Sequence, residues 1–445
     1  MPKADNQMPG NISIDRALHN TPQMHMQMRM RWLYIMPCVF VTYSLAYLDR
    51  ANFGFGAAAG LAATLRISDS RSALLAALFF LGYFLFQIPG ASYARRKSAA
   101  LLVFFALIAW GMLAAMTGVI TNFWLLALDR LLLGVAESVI FPALLILLTQ
   151  WFTRAERSRA NTLLFLGNPI TLLWMSAVTG YLIHAVGWQK AFIYEGLPSI
   201  LWAFVWLGTV RDRPEEAAWI GEAAKDCLQH RLESEQTSIP PTANFRAALK
   251  SPSVVWLCLQ YFAWSVGVYG FVLWLPTIIR QGSSSSMQAT GLLNGAPYLL
   301  AIPLMLSVSY FSDRTLQRKR FVWAFLVISG ISLLVCYSAA NRSFWTSYGF
   351  SIVAGGCMYA PYGTFFAMVP EMLPSNVAGE VMALINSCGA LGGFFGAWIV
   401  GLLRAASGNS RSGFLFMAIS LVAAGLAVVP VREPSPHGKD SKMAV

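Results

Sequence analysis

A chain of 445 residues that is 57% hydrophobic and only 12% charged carries about half the charge of a soluble domain, so the bilayer and not water is its main solvent. Its formal charge of +12 sits in short loops between apolar runs, which argues against a nucleic-acid surface. Six cysteines with no CxxC spacing argue against a zinc site or a disulfide framework.

Residues 1–31 read as a polar cytoplasmic tail without an apolar stretch ahead of a cleavage site, so no signal peptide is expected. The run Met24-His25-Met26-Gln27-Met28-Arg29-Met30 offers ligands suited to Cu(I), yet it reads more simply as part of that tail, and no metal site is assigned.

Apolar runs of the length that crosses a bilayer, about 20 residues, follow near 32–58, 72–93, 98–120, 122–149, 160–185 and 190–210. A polar linker, 211–253, mixes charges at helical spacing and reads as a solvated segment with a short surface helix. Six more runs lie near 254–279, 288–311, 320–340, 344–369, 380–404 and 411–431, and a second tail covers 432–445. The organisation expected is therefore an all-α membrane protein of twelve spans, with six-helix bundles at 32–210 and 254–431. Lys and Arg crowd alternate loops (Arg95-Arg96-Lys97; Arg154, Arg157 and Arg159; Arg314 to Arg320). By the positive-inside rule, those loops, the linker and both tails face the cytoplasm.

Charges interrupt two of the spans. Asp49 and Arg50 lie in span one, and Asp129, Arg130 and Glu137 lie in span four. A charge at the bilayer centre costs about 2.5–3.5 kcal/mol on insertion scales, so such residues usually face a polar interior and serve function. Arg130 and Glu137 are two helical turns apart, about 10 Å along one face. Neutral polar groups accompany them: Tyr83 and Gln87 one turn apart in span two, and Asn168 before Pro169 in span five, where the missing N–H frees a carbonyl. The corresponding helices of the second half carry no charge. They hold Tyr261, Trp264, Ser265, Tyr269 and Trp274 in span seven, Tyr359 and Tyr362 in span ten, and Asn386 and Ser387 in span eleven; some of these aromatics are expected to be interfacial-belt residues.

The halves repeat. Phe141-Pro142 recurs as Ala360-Pro361 at an offset of 219, Asn168 recurs as Asn386 at an offset of 218, and a basic cluster follows the second span of each half. Internal duplication with a site near the midplane is the architecture of many secondary transporters. Charges in one half facing hydroxyls and amides in the other suit a ligand with a carboxylate at one end and a polyol body.

Several stretches resemble the major facilitator superfamily, and within it the anion:cation symporter family. They are Tyr47-Leu48-Asp49-Arg50-Ala51-Asn52-Phe53-Gly54, Phe79 to Pro89, Arg130-Leu131-Leu132-Leu133-Gly134-Val135-Ala136-Glu137, and Gly187-Trp188 with Glu195-Gly196-Leu197-Pro198. The resemblance covers about residues 30 to 430. It implies two six-helix bundles around a central cavity, proton-coupling acids at Asp49 and Glu137, and a carboxylate-binding arginine at Arg50 or Arg130. It also implies polar substrate contacts at Tyr83, Asn168 and Asn386, to which the residues themselves add Gln87 and Tyr269. The family's gating loop survives as Asp313, Arg314 and Arg318, whereas its first-half copy, Gly90 to Lys97, has lost the acid. Ile35-Met36-Pro37 with Thr42 to Tyr47, and Gly267 to Pro276, look most like bacterial 2-ketogluconate transporters, with tartrate-type carriers close behind.

The expected function is proton-coupled uptake of a small organic anion, most simply a sugar acid, across a bacterial inner membrane by a monomer with no cofactor beyond the coupling proton. Organic-anion exchange or export, another carboxylate such as tartrate, and a transporter-like sensor are the alternatives. A membrane-embedded enzyme is disfavoured, because His184 alone among five histidines lies within a span, near its end.

Overall fold

A computed structural model describes residues 22–237, 251–315, 317–340, 342–372, 375–408 and 410–431. All regular structure among them is helical. The first half runs through Pro22–Ala58 (span one), Asp69–Arg96 (two), Ala99–Thr117 (three), the pair Phe123–Ser138 and Ile140–Trp151 (four), Arg154–Val186 (five) and Trp188–Thr209 (six). The second runs through Pro252–Ser283 (seven), Met287–Thr315 (eight), Arg318–Ala339 (nine), the pair Phe344–Tyr359 and Tyr362–Met372 (ten), Ser375–Ser407 (eleven) and Arg411–Ala427 (twelve). Ten of the described helices are long and apolar enough to cross a membrane. Spans ten and twelve are outside that set: the two helices of span ten are 16 and 11 residues long, and that of span twelve is 17.

The breaks in spans four and ten share a cause and a place. Each comes just before the repeated proline: at Val139, ahead of Phe141-Pro142, and at Ala360-Pro361. A proline lacks the N–H that would continue the ladder and crowds the preceding turn. In span ten the Met358 carbonyl beside the break accepts the Trp264 indole N–H at 3.0 Å, so a backbone group at membrane depth stays satisfied.

The two halves meet along matched pairs of helices: span two packs along span eleven, span five along span eight, and span one against span seven. Small residues permit the approach, as membrane helices require. A Cβ at Gly180 or Gly291 would collide with the other helix's backbone. Within the first half, Gly82 of span two and Gly134 of span four do the same for each other, meeting the carbonyls of Leu131 and Phe79. That contact sets Phe79 and Tyr83 against the charged face of span four.

Two expectations about the chain's polar segments need correction. The helix of span one begins at Pro22, ahead of the stretch Arg29–Ala58 that is apolar enough to cross a membrane, so residues 22–31 are helical. Met, Gln and Arg are good helix formers and no breaker follows Pro22 until Pro37. Arg31 is buried there, donating to the Trp151 carbonyl at 2.8 Å and pairing with Glu156. The described part of the linker is docked rather than solvated. The Asp212 carboxylate accepts from the N–H groups of Ala99 and Ala100 (2.8 and 2.9 Å) and from Ser98, capping span three. The Trp219 ring stacks on Tyr34 and on Trp151, with centroids 4.6 and 5.1 Å away. Helix Glu222–Thr237 buries Ala224, Cys227 and Leu228, a short apolar stripe among its charges.

Candidate functional site

A cavity lies between the halves, lined from spans one, two, four and five on one side and seven, eight, ten and eleven on the other. Its wall is mostly aromatic, and the tyrosines Tyr43, Tyr47 and Tyr83 of one half face Tyr261, Tyr269, Tyr359 and Tyr362 of the other. Among the described residues the one charged side chain in the wall is Arg50. The two halves touch around the cavity: Phe80 packs on Tyr269 with ring centroids 4.4 Å apart, and Phe165 stacks on Phe366 at 4.9 Å.

Arg50 is held from behind and from the sides. Its Nε donates to Glu137 Oε2 at 3.0 Å, with both residues buried. Its guanidinium lies over the rings of Tyr83 and Tyr47, 4.4 and 4.9 Å from their centroids. Each ring face attracts a cation, and together they fix the plane of a group whose forked donors match a carboxylate. Glu137 Oε1 has no hydrogen-bond partner.

Arg130 sits elsewhere. It does not line the cavity and is buried over Phe53 (4.7 Å) and Phe79 (5.4 Å). The Phe79 ring also lies 5.8 Å from the Arg50 guanidinium, so one aromatic ring stands beside both arginines. Arg130 Nε has no hydrogen-bond partner, and its charged neighbours are Asp129, Asp49 and Glu137. Asp129 accepts from Thr117 Oγ1 at 2.8 Å, which ties span four to span three. Asp49 is buried; its Oδ2 and the neighbouring Trp110 indole N–H both lie outside hydrogen-bonding geometry.

The structure thus brings Arg50, Tyr83, Asn168, Tyr269 and Asn386 together in the cavity wall, and Asn168 Oδ1 is a buried acceptor without a partner. Asp49, Glu137 and Arg130 form a layer behind that wall. Gln87 is not in the wall: its Oε1 accepts from Ser387 Oγ at 3.0 Å, a bond that joins the two halves. Trp264 and Trp274 are buried packing residues and not an interfacial belt; Trp274 donates its indole N–H to the Ala397 carbonyl at 3.0 Å. Of the gating loop, Arg314 lies 4.7 Å over the Tyr310 ring and Arg318 opens span nine, while the Asp313 side chain lies outside the described set.

Sequence reasoning left one buried acid without a role. Glu195 of span six is 4% exposed and accepts from Thr179 Oγ1 at 2.7 Å. It interrupts an apolar run as Asp49 and Glu137 do, so the same signal marks it.

The family model for the Major Facilitator Superfamily matches residues 39–397. The chain belongs to that superfamily. It is a multi-pass membrane transporter for a small molecule, which agrees with a cavity enclosed between duplicated helix sets. Among relatives, a "Quinolone resistance transporter" of Acinetobacter baumannii is 32% identical over 87% of this chain and 91% of its own length. A "Putative tartrate transporter" of Agrobacterium vitis is 29% identical over 92% of each chain. Among solved structures, a D-xylose-proton symporter aligns with a TM-score of 0.73 at 13% identity, over 90% of this chain and 98% of that one, and shares the fold.

Proposed function

We propose that this superfamily member carries a small organic carboxylate, coupled to protons, with Arg50 as the carboxylate site and Glu137 as the group that trades places with the ligand. The observation that carries this reading is the Arg50–Glu137 pair: the one charged group in the cavity wall is already bonded to a buried carboxylate at 3.0 Å. A carboxylate ligand that takes the guanidinium leaves Glu137 buried without its cation, a costly state unless Glu137 takes up a proton. Ligand binding and proton binding are then favourable together and unfavourable apart, which is the requirement for symport. Asp49 lies behind the same wall, beside Arg130, and is the second acid of the coupling set.

The remainder of the wall supplies hydroxyl and amide groups, including Asn168, Asn386, Ser265 and the tyrosines. These match a hydroxylated acid such as 2-ketogluconate or tartrate, and the likeness to the Agrobacterium vitis protein supports that class. A second reading, export of a flat aromatic anion, is favoured by the ring-rich wall and by the likeness to the Acinetobacter baumannii protein. Counterflow in proteoliposomes separates them. Under the first reading, labelled tartrate or 2-ketogluconate exchanges against itself while the uncharged parent sugar does not. Exchange of aromatic acids alone would establish the second reading, and exchange of the neutral sugar would remove the carboxylate site.

A further inference from the structure

The first half buries more acids than cations. Among the described residues Asp49, Asp129, Glu137 and Glu195 are buried with Arg50 and Arg130, all six 6% exposed or less, while the third buried cation, Arg31, is paired with Glu156. An uncompensated charge in such a site is costly enough that the group generally neutralises by binding a proton. Glu137 has Arg50, and Asp49 and Asp129 are charged neighbours of Arg130. Glu195 has no cation among the described residues facing it: its bonded partner is the neutral Thr179 hydroxyl.

The hydrogen bonds around Thr179 accommodate a protonated Glu195. Its Oγ1 lies 2.7 Å from Glu195 Oε1 and 3.1 Å from Asn52 Oδ1. A hydroxyl has one proton to donate, so it cannot serve two acceptors. The chain closes if Glu195 carries a proton and donates to Thr179, which donates in turn to Asn52. The alternative turns the Asn52 amide so that its Nδ2 donates to Thr179 while Thr179 donates to an ionised Glu195; the bonds are then also complete, but a dry carboxylate is left facing no cation. Beyond Thr179 the Asn52 side chain is 2% exposed, with its Nδ2 unpartnered, one helical turn from Asp49, whose Oδ2 is unpartnered as well.

We propose that Glu195 is a third proton-binding site of this transporter, occupied in the conformation seen here and linked to Asp49 across the Asn52 turn. The proposal deepens the proton-coupled reading and rests on it for its purpose. Span six packs against spans one, three and five. Span one presents Asp49 and Arg50; span three has no Asp, Glu, Lys, Arg, His, Cys or Tyr over 99–117; in span five the nearby titratable groups, Tyr181 and His184, are exposed. Asp129, Arg130 and Glu137 stand on span four beyond Asp49. Asp49 and Glu195 are electrostatic neighbours. Two carboxyls in one dry site cannot ionise independently, so they titrate as a pair.

Infrared difference spectroscopy of the purified full chain in lipid nanodiscs tests this with neither substrate nor gradient, so its outcome is separate from that of any transport assay. At neutral pH, the wild-type spectrum minus that of Glu195→Gln is expected to contain the carbonyl stretch of a protonated carboxyl. Thr179→Val, which retains Glu195, is expected to move that band, and it carries the test if Glu195→Gln does not fold. Asp49→Asn is expected to shift the pH at which the band is lost. A difference spectrum with carboxylate bands alone, or a carboxyl region untouched by Thr179→Val, would overturn the proton assignment. A titration unchanged by Asp49→Asn would overturn the link.

Discussion

Arg50 and Glu137, on different spans and 87 residues apart in sequence, form a buried ion pair with Nε and Oε2 separated by 3.0 Å. The pair joins spans one and four directly behind the cavity. Breaking a buried pair from one side typically costs about 3–5 kcal/mol because the other charge is left alone. Such a pair adds little net stability compared with apolar packing, but it responds strongly to any ligand or proton that competes for either partner.

Arg50→Lys tests whether the plane of the guanidinium matters. A lysine keeps the charge but loses the forked donors and the stacking on Tyr47 and Tyr83. Binding of a carboxylate substrate should fall by about tenfold or more, close to the loss in Arg50→Ala, as read by the concentration dependence of counterflow; this corresponds to about 1.4 kcal/mol or more. Arg130→Lys should weaken binding less, since Arg130 is outside the cavity wall.

Gly134 offers a test of the packing that positions the site. A Cβ there would collide with the Phe79 carbonyl, and the neighbouring Gly82 is equally confined. Gly134→Leu should force spans two and four apart, at a cost of at least about 1–3 kcal/mol for overpacking. A lowered thermal midpoint of the purified protein, together with lost counterflow, is expected. Substituting Gly349, which has nothing within 4 Å of a built Cβ, should leave both unchanged.

At the end of the bundle away from the basic loops, Arg280 Nη1 donates to the Ala58 carbonyl at 2.6 Å, bonding span seven to the end of span one. Hydrogen bonds to charged groups are worth about 1.5–3 kcal/mol. Arg280→Ala should therefore raise the population open at that end by about tenfold or more. Spin labels or cysteine accessibility on the two halves near Ala58 and Arg280 would read the change.

Docking of the linker predicts a loss of stability separate from binding. Asp212→Ala removes the acceptor for two backbone N–H groups at the start of span three. It should cost about 0.5–2 kcal/mol, the usual range for a lost helix cap. A lower thermal midpoint with an unchanged substrate affinity is expected.

The charges within apolar runs were legible in the sequence; the prolines were read as a repeat, and that they accompany breaks in spans four and ten came from the structure. Partnership was not legible. Helical spacing sets Arg130 and Glu137 on one face of one helix, yet Glu137 bonds Arg50 of span one, because the packing between helices and not the spacing within one decides which charges meet. Gln87 illustrates the same limit: its polarity suggested a ligand contact, while its partner is Ser387 in the other half. Some aromatics of the second half were expected in the belt, and Trp264 and Trp274 are instead buried with their indole N–H groups on backbone carbonyls, a distinction that composition does not make. The docked linker was missed because its apolar stripe is short and lies among charges.

Glu137→Gln tests the central claim most directly, since an amide imitates the protonated acid and cannot release a proton. Reconstituted in proteoliposomes with an imposed pH gradient and offered labelled tartrate or 2-ketogluconate, whichever the wild type exchanges, it should lose uphill accumulation while substrate-for-substrate counterflow continues. Accumulation by Glu137→Gln at the wild-type level would contradict the account.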